Sequence, residues 1–260
     1  MTLPRFFIEN QVIADQTEAV FGLRLSDDDF KHARALRLKK GEHISVIDAA
    51  QDYFECAIES FDGIDMRVRI SAKEELDPLF ASVVLVQGLA KGEKMDTIIR
   101  QGTEIGVSAF IPFASKRSVV KVEGVKAAKK RERWASIAKS AAMQSAQAAV
   151  PEISEILKLD QVCEFISQAS VVVICWEEAR EAHLRSRLHD ALASQGIMPE
   201  DARIAVVVGP EGGFEEEEVQ ALLASNPHAF CLSLGPSILR TETAGVMAPA
   251  LVLHNLGVLA

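Results

Sequence analysis

Residues 204–214 read IAVVVGPEGGF, and this stretch decides the class of fold. The apolar residues 204–208 run without a break, which is typical of a strand that is covered on both faces in a parallel sheet. Three glycines follow at 209–213, where they allow a tight turn and a close approach of the backbone to a ligand. The segment 215–224 begins with four acids, which the helix dipole favours in a first turn, so we expect a helix there.

The same alternation of apolar strands and helices extends on both sides of this stretch. Four more apolar runs predict strands. They are SVVLVQ (82–87), AFIPF (109–113), VVVIC (171–175) and FCLSL (230–234). Helices are expected after the first strand, over 126–147, over 178–194 and from about Thr241, where Pro249 predicts a kink unless the helix starts late. The pattern indicates an α/β domain over 82–260 that is built on a parallel sheet.

The first part of the chain has a different pattern. Short alternating runs separated by turn-forming residues predict strands. They are HISVID (43–48), ECAIES (55–60) and DMRVRI (65–70). Regular short strands at this spacing indicate a small β-barrel over 1–71, and the polar, proline-containing stretch 71–81 is predicted to be a linker.

Composition excludes several classes of protein. The chain has 260 residues, of which 48% are hydrophobic, and no apolar run approaches the roughly 18 residues of a membrane span. The N-terminus lacks the basic-then-apolar order of a signal peptide. The cysteines lack CxxC spacing, so we expect reduced cytoplasmic thiols and no metal site. They are Cys56, Cys163, Cys175 and Cys231.

Charge is distributed unevenly along an acidic chain of net charge −9. Residues 31–40 contain five Lys or Arg and no acid, and residues 91–134 contain eleven Lys or Arg against five acids. Local rather than net charge decides where a phosphate backbone binds, so both stretches are candidates for RNA contact. Solvated faces of amphipathic elements explain the same charges equally well.

The glycine loop itself favours a cationic ligand. It matches neither GxxxxGK[ST] nor GxGxxG, and it carries Glu211 and precedes four further acids, so a nucleotide phosphate is disfavoured. S-adenosylmethionine (SAM), a sulfonium that also carries an ammonium group, suits this charge better. A simple strand-to-helix turn is the alternative.

A second segment, LGPSILRTETA (234–244), also follows a strand and opens a helix. Threonines there are explained by helix capping, but Arg240 is not, because a cation is unfavourable at a helix N-terminus. Arg240 is therefore a candidate functional residue. Glu177, just after VVVIC, is a candidate third wall of a pocket, or a solvated loop acid.

Six fragments in the same order resemble the RsmE family of 16S rRNA (uracil-N3) methyltransferases in the SPOUT superfamily. They are PRFF (4–7), His32, LRLKKGE (36–42), the stretch 88–121, VGPEGGF and LGPSILRTETA. The resemblance implies a cytoplasmic enzyme that methylates uracil N3 with SAM and binds 16S rRNA or the small subunit. It also implies an N-terminal PUA-like barrel, a SPOUT domain with a deep trefoil knot, and a homodimer with the C-terminal helix at its interface.

The chemistry of methyl transfer predicts roles for individual residues, because an anion must form at uracil N3. Arg240 would stabilise that anion, and Glu242 or Glu177 would accept its proton. The implied cofactor contacts are Glu177, Gly209, Pro210, Glu211, Gly212, Gly213, Leu234, Leu239 and Thr243. The implied RNA contacts are Arg5, Arg34, Arg37, Lys39, Lys91, Lys94 and Arg117.

One segment departs from the family pattern at Met143, Gln147 and Ala149, where basic residues are common. Two alternatives therefore stay open. One is a SPOUT methyltransferase that acts on another RNA position, such as a ribose 2′-hydroxyl or a guanine. The other is an RNA-binding or ribosome assembly factor that has lost catalysis.

Overall fold

The computed structural model describes residues 3–74, 81–119, 124–179 and 183–259. The chain is a mixed α/β protein with two sheets. It divides into two compact units. Unit 1 comprises Met1–Pro78 with Ala142–Ala148, and unit 2 comprises Leu79–Ala141 with Ala149–Ala260.

Unit 1 contains a five-stranded sheet. Its elements are β1 (Arg5–Phe7), β2 (Phe21–Gly22), α1 (Asp27–Ala35), β3 (His43–Ile47), β4 (Tyr53–Phe61) and β5 (Met66–Glu74). The strand order is β1-β3-β4-β5-β2, with β1 parallel to β3 and the other neighbours antiparallel. In β5, Met66 and Val68 are buried while Arg67 and Arg69 are exposed, as expected for a strand with one solvated face.

Two features of unit 1 differ from the prediction. Helix α1 was not predicted. Ser26 and Asp29 cap each other's backbone N–H groups at its start, and three acids in its first turn favour this end of the helix. Residues 71–74, predicted as linker, continue β5, whose Glu74 pairs with Tyr53 of β4. Most of the remaining predicted linker, 75–80, lies outside the described residues.

Unit 2 alternates strands and helices. Its elements are β6 (Ser82–Gly88), α2 (Lys94–Glu104), β7 (Ala109–Phe113), α3 (Val125–Gln144), β8 (Glu152–Ile153), α4 (Leu159–Ile166), β9 (Val171–Cys175), α5 (Leu184–Gln195), a 3₁₀ turn (Pro199–Asp201), β10 (Arg203–Val208), α6 (Glu216–Ala224), β11 (Ala229–Leu232) and α7 (Thr241–Asn255). The last strand is thus shorter than FCLSL suggested, and α5 starts later than predicted. Helix α7 starts at Thr241 as predicted and continues through Pro249.

The six strands of unit 2 form a parallel sheet in the order β11-β9-β10-β6-β7-β8. Side chains of β10 alternate between two cores. Ile204, Val206 and Val208 pack in a core with residues of α2, α5 and α7, whereas Ala205 and Val207 pack in a second core with residues of α4 and α6. Helices therefore cover both faces, which confirms the predicted α/β sheet.

The topology brings the loops that follow β6, β9, β10 and β11 to one edge of the sheet, because parallel strands share the edge at which they end. Gln87, Cys175 and Val208 lie at or next to these strand ends, and Val208 pairs with both of the others. In the part of the chain that the structure describes, no helix is long and apolar enough to cross a membrane.

Candidate active site

A cavity of about 520 Å³ lies at this edge of the parallel sheet. Its walls are 175–177, 208–214 and 232–241, together with Lys94 and Ala244. The structure therefore brings the glycine loop, the segment before α7 and the loop after β9 to one cavity. All the residues predicted to bind a cofactor line it except Thr243, whose side chain is exposed in the first turn of α7.

The glycine loop has a conformation that requires glycine at its end. Gly213 donates its N–H to the carbonyl of Pro210 over 2.9 Å and has φ +69°, in the left-handed region. A Cβ on Gly213 would lie 3.0 Å from Oε1 of Glu177. The loop thus leaves room for the Glu177 carboxylate beside its backbone, at the wall where that acid was predicted.

The loop after β10 also crosses the end of β6 backbone to backbone. A Cβ on Gly88 would lie 2.4 Å from the backbone nitrogen of Pro210, which is closer than a real side-chain carbon can approach. Only glycine at residue 88 permits this crossing, so the end of β6 fixes where the glycine loop begins.

A buried polar network joins the same elements. Nε2 of Gln87 donates to the carbonyl of Gly88 over 3.0 Å, and to Oγ1 of Thr241 over 2.9 Å. Thr241 Oγ1 in turn donates to the carbonyl of Gly209 over 2.6 Å. Oε1 of Gln87 has no hydrogen-bond partner, and a Cβ on Gly245 would lie 2.6 Å from it. Sequence reasoning missed Gln87; the only signal was an amide at the end of an otherwise apolar run.

Arg240 and Glu242 lie on either side of the first residue of α7. Arg240 is the N-cap residue, its carbonyl accepts from the N–H of Thr243 and of Ala244, and its exposed side chain lines the cavity. The pKa of Glu242 lies below its ordinary value because a hydrogen bond from its own backbone N–H and the positive charges of Lys94 and Arg240 outweigh the effect of burial. Glu242 is therefore a carboxylate at neutral pH.

Lys94, in the first turn of α2, lies between two carboxylates. Its Nζ is 3.1 Å from Oε1 of Glu211 and 3.1 Å from Oε2 of Glu242. The backbone N–H of Lys91 also donates to Glu211 over 3.0 Å. Burial by itself would raise the pKa of Glu211, but the N–H of Lys91 and the charge of Lys94 outweigh it, so the pKa is lowered. Both carboxylates raise the pKa of Lys94.

The segment after β7 lies against the other side of the glycine loop. Nη1 of Arg117 donates to the carbonyl of Gly212 over 3.1 Å, and a Cβ on Gly212 would lie 3.1 Å from that of Arg117. The backbone N–H of Lys116 donates to the buried carboxylate of Glu218 over 2.8 Å. The ammonium group of Lys116 contacts Glu215 at 3.0 Å. Sequence reasoning did not anticipate that Lys116 would contact the acidic start of α6.

The predicted RNA contacts of unit 1 differ in how far their side chains are engaged. Nη1 of Arg5 donates to the carbonyls of Ala146 (2.5 Å) and Gln147 (2.6 Å), and its guanidinium lies over the ring of Tyr53. Arg34 donates to the carbonyl of Gly63 over 3.1 Å. The other two, Arg37 and Lys39, are exposed, and their role in RNA binding stays a prediction. Of the departures from the family pattern, Met143 is buried.

Neither a metal nor a thiol nucleophile is suggested by the geometry. Among the described residues, no group of three or more His, Cys, Asp or Glu side chains is placed to hold a metal ion. Cys175 lines the cavity, but burial raises the pKa of its thiol to about 12, so the sulfur keeps its proton at neutral pH. The charged groups that line the cavity are the carboxylates of Glu177 and Glu211 and the cations of Lys94 and Arg240.

Comparison with known proteins agrees with this geometry. A family model described as an RNA methyltransferase domain matches residues 77–253. Ribosomal RNA small subunit methyltransferase E of Bacillus subtilis is 36% identical over 251 residues, which cover 95% of this chain and 94% of that protein. This chain belongs to the ribosomal RNA small subunit methyltransferase E family. The resemblance predicted from its motifs is confirmed.

Other members of the family match over similar lengths. The Aquifex aeolicus protein of the same name is 30% identical over 233 residues, which cover 89% of this chain and 94% of that protein. A crystal structure of the Neisseria gonorrhoeae protein, bound to S-adenosyl methionine, is 25% identical with a TM-score of 0.79, and 97% of each chain is covered.

Proposed function

We propose that this chain transfers a methyl group from SAM to N3 of a uracil in 16S ribosomal RNA of the small subunit. The observation that carries the proposal is the shared cavity, in which a glycine loop bearing Glu211 faces a helix start bearing Arg240. Family membership supports the reaction class, and the sequence motifs support the base and the atom. The reaction would take place in the cytoplasm, where ribosomes are assembled.

The cavity fits SAM in size and charge. Its volume of about 520 Å³ lies within the range of small-molecule sites. Glu177 and Glu211 line it, which suits a ligand with a sulfonium and an ammonium group, and Gly213 leaves room that a side chain would fill. When bound there, SAM supplies a methyl group on a positively charged sulfur. The loops 209–213 and 234–239 would hold it.

Arg240 is placed to act on the base. Uracil N3 carries a proton, so negative charge must develop on the ring, including O2 and O4, as N3 becomes a nucleophile. A guanidinium beside these oxygens stabilises that charge. Arg240 lies at the unfavourable end of the α7 dipole with its side chain exposed at the cavity, which suits such a role.

Glu242 is the first candidate to accept the N3 proton, because it stays ionised two residues from Arg240. Its side chain is not among those that line the cavity, so the proton would pass directly or through a water molecule at the cavity edge. The lowered pKa keeps the carboxylate available but also makes it a weaker base. Glu177, which lines the cavity, is the second candidate. Positioning of N3 in line with the methyl group would contribute most of the acceleration.

Unit 1 is proposed to be a PUA-like barrel that binds RNA through Arg34, Arg37 and Lys39. Lys91 and Arg117 of unit 2 would add contacts near the cavity. The target base must leave its stack to reach the site, so contacts to the flanking backbone are needed to hold it. Unit 2 is proposed to have the knotted SPOUT topology that the sequence motifs imply, a rare exception among protein folds.

A homodimer is proposed through α7. This helix buries Ala244, Ala248 and Val252 against unit 2, yet its exposed side still carries Met247. The family resemblance carries this proposal, because one exposed apolar residue is ordinary on a protein surface.

The direct test is in vitro methylation of 16S RNA or small subunits that lack the modification, followed by mass spectrometry of the nucleosides. The proposal expects 3-methyluridine, formed only when SAM is present. A methyl group on a ribose or on guanine would instead show another SPOUT reaction. No methylated nucleoside from a protein that binds RNA and not SAM would favour the assembly factor.

A further inference from the structure

Lys94 connects the two cofactor loops through charge. Its ammonium group touches Glu211 in the loop after β10 and Glu242 in the first turn of α7, each at 3.1 Å. Because both carboxylate oxygens lie 3.1 Å from one nitrogen, they are close enough to repel each other when that charge is absent. Lys94 is itself part of the cavity wall.

The position of Lys94 is costly for its own helix. It is the first residue of α2, where the helix dipole disfavours a cation, and Glu93 provides no side-chain cap for this end of the helix. The two carboxylates offset this cost. The backbone N–H of Lys91, three residues earlier, donates to Glu211 as well, so the start of α2 holds Glu211 from two sides.

A contact between Lys94 and an RNA phosphate, which the motifs suggested, fits this geometry less well. An ammonium group has three N–H donors, and two carboxylates already lie within hydrogen-bonding distance of it. Only the third N–H remains for a phosphate, which the two carboxylates would repel and which would have to reach an amine whose side chain is only about a third exposed. The loops that the carboxylates belong to are the walls of the proposed cofactor site.

We infer that Lys94 is a positioning residue of the cofactor site: it holds Glu211 and Glu242 together and thereby fixes the two loops that enclose the methyl donor. The inference rests on the proposed function in one respect, since the ligand that reports on the loops is SAM. In this inference Lys94 acts on the cofactor site, in place of the RNA contact that the motifs suggested.

Calorimetry with SAM tests the inference. Lys94→Met keeps the length of the side chain and removes its charge, and it is expected to weaken SAM binding roughly five- to tenfold. Lys94→Arg, which keeps the charge, should recover most of the affinity. Lys158→Met is the matched control, because Lys158 is an exposed lysine at the start of α4, outside the cavity. This variant should bind SAM as the unchanged protein does.

A second substitution tests whether the loss of SAM affinity comes from repulsion between Glu211 and Glu242 or only from the missing lysine side chain. Glu242→Gln in the Lys94→Met protein removes one of the two opposing charges, so it should restore part of the SAM affinity. In steady state, Lys94→Met should raise KM for SAM, while KM for RNA and its salt dependence stay unchanged. Lys94→Gln serves if the methionine variant does not fold, as judged by circular dichroism.

Equal SAM affinity in the unchanged protein and in Lys94→Met would overturn the inference and leave the proposed function intact. So would a variant whose RNA affinity falls while its SAM affinity does not, or a double variant that binds SAM no better than Lys94→Met. A protein that binds no SAM at all, with its fold intact, would overturn the proposed function and the inference together.

Discussion

Gln87 and Thr241 are hydrogen-bonded in the interior of unit 2, where Nε2 of the amide donates to Oγ1 of the threonine over 2.9 Å. The hydroxyl of Thr241 in turn donates a hydrogen bond to the carbonyl of Gly209 over 2.6 Å. One hydroxyl therefore joins the end of β6, the start of the glycine loop and the first residue of α7.

Thr241→Val keeps the shape of the side chain and removes the hydroxyl, and with it two buried hydrogen bonds, one from Gln87 and one to the Gly209 carbonyl. We expect the free energy of unfolding to fall by about 1–3 kcal/mol, since each hydrogen bond contributes about 0.5–1.5 kcal/mol. Urea denaturation measures it. Thr243→Val, at an exposed position of the same helix, is the control and should change stability little. Equal loss in both variants would contradict the network.

Gly213→Ala tests the shape of the glycine loop. The new Cβ would meet Glu177 at 3.0 Å and would stand on a backbone with φ +69°, so SAM binding should weaken at least tenfold, by about 1.4 kcal/mol or more. Gly196→Ala is a matched control, since Gly196 has φ +66° at the end of α5 with no atom near the added carbon.

Both glycine variants carry similar backbone strain, so both should lose stability in thermal unfolding, and Gly213→Ala should lose somewhat more because of its contact with Glu177. Only Gly213→Ala should lose SAM affinity in calorimetry. If Gly196→Ala also lost affinity, the effect would come from the stability of unit 2 rather than from the loop.

The apolar strand runs made the sheet of unit 2 predictable, because a strand buried on both faces needs a continuous run such as 204–208. Short elements were not predictable in this way. Helix α4 has eight residues and β8 has two, too few for a periodic pattern to show. Helix α1 has a visible capping pair in Ser26 and Asp29, but its nine residues are also too few for a clear periodic pattern.

The loops of the site were predictable, but the contacts that fix them were not. Glycines, Arg240 and Glu211 stand out in the sequence because each is unusual for its local structure. The Gln87–Thr241 hydrogen bond joins residues 154 positions apart, and the Lys91–Glu211 bond joins residues 120 apart. Such pairs depend on the strand order of the sheet, which local patterns do not contain.

Arg240→Ala should lower kcat for uracil methylation about 10²- to 10³-fold, the usual effect of losing a group that stabilises developing negative charge. SAM affinity should change little, because the guanidinium is proposed to face the base. Arg240→Lys should recover only part of kcat, since an ammonium cannot reproduce the planar fork of a guanidinium. Single-turnover methylation separates this step from RNA binding.

Arg185→Ala is the matched control for Arg240, because Arg185 is an exposed arginine of α5 outside the cavity. It should leave kcat unchanged. Near-normal turnover of Arg240→Ala with a native fold would remove Arg240 from the mechanism.

SAM binding should depend on pH through Glu211 and Glu242. The pKa of each lies below the ordinary value of 4.5, so both stay charged, and the charge-dependent part of the binding is fully present above that value. Affinity should be flat from neutral pH to about pH 5 and fall only as the pH drops through the lowered pKa values. Calorimetry across this range, with circular dichroism to follow folding, measures it.

Lys94→Met should move the fall in SAM affinity to higher pH, because the lysine charge no longer favours the ionised carboxylates. If SAM affinity falls over the same pH range in Lys94→Met as in the unchanged protein, Lys94 does not act on Glu211 and Glu242.

The exposed basic residues Arg37 and Lys39 of unit 1 should contribute to the salt dependence of RNA binding. Arg37→Ala and Lys39→Ala each remove an exposed charge and should weaken binding most at low salt, reducing the slope of log K against log salt by about 1 each. SAM affinity should not change. An unchanged slope in both variants would mean that these residues are solvated charges rather than phosphate contacts.

A crystal structure of the protein with SAM tests the central claim most directly. The account predicts the methyl donor in the cavity between 209–213 and 234–241, with its cationic part towards Glu177 or Glu211 and its methyl group open to Arg240. A methyl donor bound anywhere else on the chain, with this cavity empty, would contradict it.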